Sequence, residues 1–262
     1  VDEAAIAAAL DRRRARGDGL STARTEADEV EFLSGVYEGH TTGTAVTLMI
    51  RNLNTRSGDY AKTAGLLRPG HADFTAHAKY EGWQDARGGG HFSGRLTAAS
   101  VAAGALCETV LRQLGVRVCT HIAACAGVED APLSSAAGLA LPEPAPEHFA
   151  LLDPGREAAM QEAIRAAGRD GDSVGGILET IVTGLPAGIG EPWFDSVESE
   201  LAHLMFSIPA CKGLEFGAGF RFAGMRGSEA NDPFTMRDGR VVTATNRNGG
   251  INGGITNGMP LV

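Results

Sequence analysis

The residues best equipped for chemistry lie between Leu67 and Arg95, in the run LRPGHADFTAHAKYEGWQDARGGGHFSGR. It contains His71, His77 and His91, the arginines Arg68, Arg87 and Arg95, and the triple glycine Gly88-Gly89-Gly90, and an Ala-rich helical pattern follows it. A glycine-rich loop that opens into a helix leaves backbone N–H groups free and gathers partial positive charge, which makes an anion site. A histidine beside such a site is suited to moving protons near neutral pH. A second basic group, Arg12, Arg13, Arg14 and Arg16, closes the first helical pattern before Gly17. Cations in a last helical turn suit the helix dipole. Four arginines in five positions exceed what capping needs, so a solvated helix end and an anion site both stand.

These groups need a frame. Residues 2–16 predict a helix capped by Asp2, with Ile6 and Leu10 on one face. Val30 and Phe32 alternate with Glu29 and Glu31, and Val46, Leu48 and Ile50 alternate with Thr47, Met49 and Arg51. This predicts an antiparallel pair of strands. Residues 51–68 read as a polar surface loop. The periodicity predicts a helix over 93–114, capped by Ser93 and stopped by Gly115, with Leu96, Ala103, Cys107, Val110, Leu111 and Leu114 on its buried face. A strand over 116–124, a loop over 126–155 and a short helix around Met160 and Ile164 follow. Gly171 to Gly176 reads as a tight turn into a strand over 177–183.

Asp195 and Glu198 suggest a capping-box start for a helix whose Val197, Leu201, Leu204, Met205 and Ile208 face inward. The alternation Leu214, Phe216, Ala218, Phe220, Phe222 predicts a half-buried strand whose glycines admit close backbone approach. Asp238-Gly239 signals a hairpin. Residues 246–258 are so rich in Gly and Asn that they form either a flexible tail or a backbone wrapped closely on a ligand; the second is expected. Strands and helices interleave without a βαβ repeat, which predicts an α+β fold of antiparallel sheet layers covered by helices.

The 262 residues, 43% hydrophobic, suffice for a sizeable core. A net charge of −9 argues against a general nucleic-acid binder. It leaves room for a small anionic ligand held by a local arginine cluster. Cys107, Cys119, Cys125 and Cys211 lack a C-x-x-C spacing and read as buried, reduced thiols; no metal site is expected. No apolar run reaches the roughly 18 residues of a membrane span, and no secretory signal pattern is visible. The expectation is a cytoplasmic protein. The first residue is Val1 and the last are Pro260-Leu261-Val262, so both ends read as cut from something longer.

Taken in order, the motifs resemble chorismate synthase. They are Asp11-Arg12-Arg13-Arg14, Glu29 to Gly35, Thr41-Thr42-Gly43-Thr44, Arg68-Pro69-Gly70-His71-Ala72-Asp73 and Gly88-Gly89-Gly90. Ser93-Gly94-Arg95-x-Thr97, Gly171 to Gly176, Lys212 to Gly217 and Gly249 to Gly254 complete the series. Each is weak alone; their order over nearly the whole chain is not. The resemblance implies a single domain over 1–262, a β-α-β sandwich in which antiparallel sheet layers are covered by helices. It implies a lyase of the shikimate pathway that feeds aromatic amino acid biosynthesis. The reaction converts 5-enolpyruvylshikimate 3-phosphate (EPSP) to chorismate and phosphate by a 1,4-anti elimination that needs reduced FMN without net redox change. The electrons come either from NADPH at the protein itself or from an external reductant. A cytoplasmic homotetramer acting on a small molecule, with no nucleic-acid or membrane partner, is implied too.

Carried over by residue, His71 is the implied acid–base group beside the flavin. Arg13, Arg14 and Arg95 are implied to face the substrate's phosphate and carboxylate, for which the arginine fork is suited. His91, Phe92, Ser93, Pro209, Ala210 and Gly253 fall where the family holds FMN. His91 and Phe92 depart from the family's Arg-Ser, only Ser93 matches there, and His77 reads as structural. The family's Gly-Glu-Ser-His motif with a second catalytic histidine, its Lys-Pro flavin-phosphate segment and its catalytic aspartate region are not found in these residues. None of His40, His77, His121, His148 or His203 sits in a motif that replaces that histidine. This chain by itself is therefore expected to turn over little EPSP, and a catalytically inactive fragment that only folds or oligomerises is the alternative.

Overall fold

The computed structural model describes residues 1–15, 17–22, 26–53, 65–85, 87–133 and 149–262. They form two compact units. The first comprises Val1–Gly17, Thr22–Cys107 and Ile208–Ala210; the second comprises Asp18–Ser21, Glu108–Ser207 and Cys211–Val262.

In the first unit, helix α1 (Glu3–Arg13) starts at Asp2, whose Oδ1 accepts the Ala5 N–H at 2.9 Å. Glu3 in its first turn and Arg12 and Arg13 in its last match the helix dipole. Ile6, Ala9 and Leu10 turn inward, as the i, i+4 spacing requires. Strand β1 (Val30–Ser34) is followed by the small β2 (Val36–Tyr37) and β3 (His40–Thr41) hairpin and by β4 (Thr47–Ile50). β1 and β4 pair antiparallel with Val30 opposite Ile50 and Phe32 opposite Leu48, and these four side chains pack on the α1 core. This is the pairing the alternation predicts. Residues 54–64 of the expected surface loop lie outside the described residues.

Two helices follow, α2 (Asp73–Lys79) and α3 (Thr97–Gln113). Ser93 does not cap α3 directly. It caps a short 3-10 turn (Gly94–Leu96), and α3 begins after it. The buried face of α3 is Ala98, Ala102 and Ala105. The larger residues expected there are outside it: Leu96 and Val110 are each 53% exposed and Leu114 71%. The alanines share the cluster of Ile6, Ala9 and Leu10, so small side chains let two helices approach, a use of alanine that hydrophobic ranking overlooks. At the other end Gly115, at φ +82°, ends the helix as predicted; the Val116 N–H reaches back to the Leu111 carbonyl at 2.9 Å.

The second unit is built on strand β5 (Arg117–Cys125), flanked by β6 (Val128–Glu129) and β7 (Gly176–Thr183), all antiparallel. Helix α4 (Glu157–Arg169) packs Met160, fully buried, with Cys125 and Leu151. Residues 134–148, within the expected loop, lie outside the described residues. Helix α5 (Val197–Met205) is capped by Ser196, whose Oγ accepts the Ser199 N–H at 3.1 Å; Asp195 is not the cap. Its Leu204 is exposed, against the expected inward face, as is Ile208 beyond it; at its first turn the Val197 N–H meets the Gly254 carbonyl at 2.9 Å. A single-turn helix α6 (Gly227–Ala230) precedes the hairpin of β8 (Phe234–Arg237) and β9 (Arg240–Thr243), which turns at Asp238-Gly239 as predicted.

The strand expected over 214–222 is absent; a 3-10 helix spans Gly219–Gly224 and Phe220 is 81% exposed. Gly217 and Gly219 adopt φ of +59° and +52°, which breaks an extended run. The close approach expected of these glycines does occur. The Gly217 N–H donates to the Val262 carbonyl at 2.8 Å, and a Cβ on Gly217 would lie 2.0 Å from the Arg247 carbonyl oxygen.

Residues 246–258 wrap the protein itself. Asn246 donates from Nδ2 to the Pro260 carbonyl at 2.7 Å and accepts the Gly250 N–H at 2.8 Å, clamping the hairpin of β10 (Ile251–Asn252) and β11 (Ile255–Thr256). The buried carboxylate of Asp232 accepts from Thr245, Arg247 and Asn248. Burial alone would raise its pKa, but these donors hold it below the ordinary value. Cys119 and Cys125 are buried, as expected of reduced thiols, whereas Cys107 is exposed; none of the four cysteines is in a disulfide. The helices and small antiparallel sheets make the fold α+β, as predicted. No described helix is long and apolar enough to cross a membrane.

Candidate functional site

His71 sits in the turn that enters α2. Gly70, at φ +72°, turns the chain, and the His71 N–H closes on the Arg68 carbonyl at 3.2 Å. Asp73, in the first helical turn, receives Arg68 through Nε and Nη2, both at 2.8 Å, and through its backbone N–H at 2.9 Å. The Arg68 fork, helped by the Arg68 N–H and by His71, holds the Asp73 carboxyl far below the usual carboxylate range. His71 Nδ1 lies 2.8 Å from Asp73 Oδ1. The side chains of His71 and Asp73 remain 27% and 21% exposed.

The other ring nitrogen faces the glycine loop. Residues Arg87–Phe92 form a 3-10 turn in which Gly89 adopts φ +85°. A Cβ added to Gly89 would lie 3.2 Å from His71 Nε2 and 3.8 Å from Ser93 Cβ. The histidine turn and the glycine loop, read in the sequence as one run, are thus adjacent. His91 stacks beside Phe92, ring centroids 4.2 Å apart and tilted by 38°, and Tyr80 meets His91 edge-on at 5.5 Å. Phe92 and Ser93 are half-buried and His91 is exposed. Ser93 Oγ accepts the Arg95 N–H at 3.3 Å, which fixes the start of the turn leading into α3.

The arginines are held by the acidic segment before β1. Arg13 donates to Asp28 at 2.9 Å, to Thr97 Oγ1 at 3.2 Å and to the Gly94 and Arg95 carbonyls at 3.4 and 3.1 Å. Its guanidinium therefore ties the end of α1 to the start of α3. Arg95 pairs with Glu26 at 3.1 Å. Arg14 donates to Asp11 at 3.3 Å and to the Ala27 carbonyl, and its Nε is buried without a partner among the described residues. Arg16 lies outside the described residues. Pro209 and Ala210 belong to this same unit and are exposed, with Ala210 in the left-handed region at φ +67°. Gly253 belongs to the second unit, at the exposed tip of the β10–β11 hairpin, with nothing within 4 Å of where a Cβ would stand.

Sequence reasoning did not single out Glu26, Asp28, Tyr80 or Asp73 by role. Asp73 had a legible signal, since it stands two residues after His71 in the Arg68–Asp73 motif. Glu26 and Asp28 had only the company of an arginine cluster that needs counter-charges.

The family profile described as chorismate synthase matches residues 1–262. The chain belongs to the chorismate synthase family. It is 48% identical over 244 residues to the chorismate synthase of Thermococcus gammatolerans, covering 93% of this chain and 67% of that protein. It is 46% identical over 260 residues to the chorismate synthase of Methanosarcina mazei, covering 99% of this chain and 70% of that protein. A crystal structure of chorismate synthase superposes with a TM-score of 0.79 at 29% identity, covering 100% of this chain and 74% of that one. That likeness agrees with the α+β fold. Within this chorismate synthase framework, the described residues also fit a planar, anionic cofactor such as FMN. The half-buried ring of Phe92, with the exposed His91 beside it, stands at the end of a glycine loop. Gln84 Oε1, just before that loop, is a buried acceptor without a partner among the described residues.

Proposed function

We propose that this protein is a lyase of the shikimate pathway that eliminates phosphate from EPSP to form chorismate with reduced FMN. The observation that carries the reading is the placement of His71, with one ring nitrogen on Asp73 and the other against the glycine loop, inside a chain of this family. Reduced FMN, when bound, would supply transient electron density for the loss of phosphate, with no net redox change. His71 acts from Nε2 as the acid–base group beside the flavin. His91, Phe92 and Ser93 hold the flavin from the loop, Phe92 through its ring face, with Pro209 and Ala210 as further contacts. Arg14 and Arg95 grip the substrate's phosphate and carboxylate. Arg13 adds positive field from the position in which Asp28 holds it.

NADPH is one source of the electrons. By family likeness we place the working protein in the cytoplasm as a homotetramer, with residues 1–262 contributing to one domain. The test is an anaerobic assay of the complete enzyme that carries residues 1–262, the form to which every turnover prediction below refers, with reduced FMN and EPSP, following chorismate by absorbance and phosphate release in parallel. Equal amounts of both products, absent with oxidised FMN, are expected. Phosphate release without chorismate would overturn the reading.

A further inference from the structure

The neighbourhood of His71 carries an assignment beyond its role as acid–base group. We infer that Asp73 is a positioning residue that locks the His71 ring with its proton on Nδ1, so that the reactive nitrogen is the bare Nε2 facing the glycine loop. This inference rests on the proposed function for its consequence, but its geometry stands alone.

Two groups approach His71 Nδ1: Asp73 Oδ1 at 2.8 Å and Arg68 Nη2 at 3.1 Å. They demand opposite things, because a carboxylate needs a proton on Nδ1 and a guanidinium needs a lone pair there. Arg68 Nη2 carries two N–H groups and gives one to Asp73 Oδ1 at the shorter distance of 2.8 Å, so its approach to Nδ1 does not by itself decide the tautomer. A bare Nδ1 would set its lone pair against an ionised oxygen 2.8 Å away, which is repulsive. The carboxylate is reliably ionised, since Arg68 contacts it three times. Nδ1 therefore carries the hydrogen, and in the neutral ring Nε2 is the acceptor. Arg68 sets the charge of Asp73, Asp73 sets the tautomer of His71, and Gly89 leaves room for Nε2 to be approached. The logic is that of an orienting aspartate behind a catalytic histidine.

The substitution Asp73→Asn inverts this order. An asparagine has one acceptor oxygen, and the Nε and backbone N–H of Arg68 both point at the position of Oδ2. The oxygen is drawn there, the amide NH2 turns toward Nδ1, and the ring must then carry its proton on Nε2.

The experiment is 15N NMR of the histidine-labelled, flavin-free chain at a pH where the rings are neutral, with the His71 signal assigned by its loss in His71→Gln. Ring nitrogen shifts and couplings distinguish a protonated nitrogen from a bare one. The wild type should show a protonated Nδ1, and Asp73→Asn should move the proton to Nε2. In parallel, kcat of Asp73→Asn should fall by about 10²–10⁴-fold, with KM changed by less than about threefold if substrate binding is untouched. A wild-type ring protonated on Nε2, or a tautomer unmoved in Asp73→Asn, would overturn the assignment; the wild-type spectrum decides even if the variant folds poorly. A tautomer that moves while kcat does not would leave the positioning intact and refute His71 as the acid–base group, which separates failure of this inference from failure of the proposed function.

Discussion

Among the described residues, each unit of the protein holds one histidine paired with acidic side chains, His71 with Asp73 and His121 with Asp130 and Glu179, and the two are built to opposite ends. His71 has Nδ1 on Asp73 and Nε2 on a glycine loop, and keeps part of its surface open. His121, on β5, has no exposed side chain; Nδ1 lies 2.8 Å from Asp130 and Nε2 lies 2.9 Å from Glu179 on β7. Asp130 also accepts the backbone N–H groups of Leu152 and Asp153, and Glu179 accepts that of Leu133. Burial alone would raise the Asp130 pKa, but Leu152, Asp153 and His121 hold it below the ordinary value. The His121 cluster therefore fastens residues 130–133 and 149–153 to the sheet. The residue types match those at His71, but only His71 has a nitrogen left for chemistry. What a histidine can do is decided by what its second nitrogen meets.

The largest expected effect that separates the clusters is on turnover. His71→Ala should lower kcat by about 10²–10⁴-fold while EPSP binding, measured by titration, changes little. Near-wild-type turnover would remove His71 from the chemistry. The counterpart is on stability. His121→Ala takes the imidazole away from the buried Asp130 and the partly exposed Glu179, which keep only their backbone N–H donors, and should cost about 1–3 kcal/mol in urea unfolding; a loss below about 0.5 kcal/mol would mean that the cluster is not a fastening.

Glycine substitutions sharpen the contrast further. Gly89→Ala and Gly39→Ala both place a side chain at positive φ, +85° and +74°, and should each cost about 1–2 kcal/mol. Only at Gly89 does the new methyl meet His71, so only that variant should lose turnover, by about tenfold or more if Nε2 shifts by even ~1 Å. Equal activity in the two would dissociate the loop from His71.

The smallest effect is on acid stability. Asp73 and Asp130 both have lowered native pKa values, whereas the unfolded chain takes up their protons near 3.8. Their contribution is complete above pH 3.8 and is lost as pH falls below it through the native values. Urea midpoints between pH 5 and 3 should fall less steeply in Asp130→Asn than in wild type; parallel curves would contradict the assignment.

The sequence was readable where local chemistry and burial agree. The Asp2 cap, the antiparallel β1–β4 pair, the Asp238-Gly239 hairpin and the Gly115 stop each follow from a few adjacent residues. It misled where burial is decided by distant partners. The face of α3 was assigned to Leu and Val, but packing against α1 favours Ala98, Ala102 and Ala105. The alternation of Leu214, Phe216, Ala218, Phe220 and Phe222 mimics a strand, but Gly217 and Gly219 between them take left-handed φ and break the extended run. At the site, the family motifs located His71 and the glycine loop. That Nε2 meets Gly89, and that Glu26 and Asp28 occupy Arg95 and Arg13, depends on contacts across tens of residues that no local pattern encodes.

The most direct test measures two numbers on two variants, His71→Gln and His121→Gln: turnover per folded protein under anaerobic conditions with reduced FMN, and the urea midpoint. The account predicts a crossed result, with His71→Gln losing turnover at nearly unchanged stability and His121→Gln losing stability with turnover per folded protein preserved. Equal loss of turnover in both variants, or a large stability loss confined to His71→Gln, would contradict it.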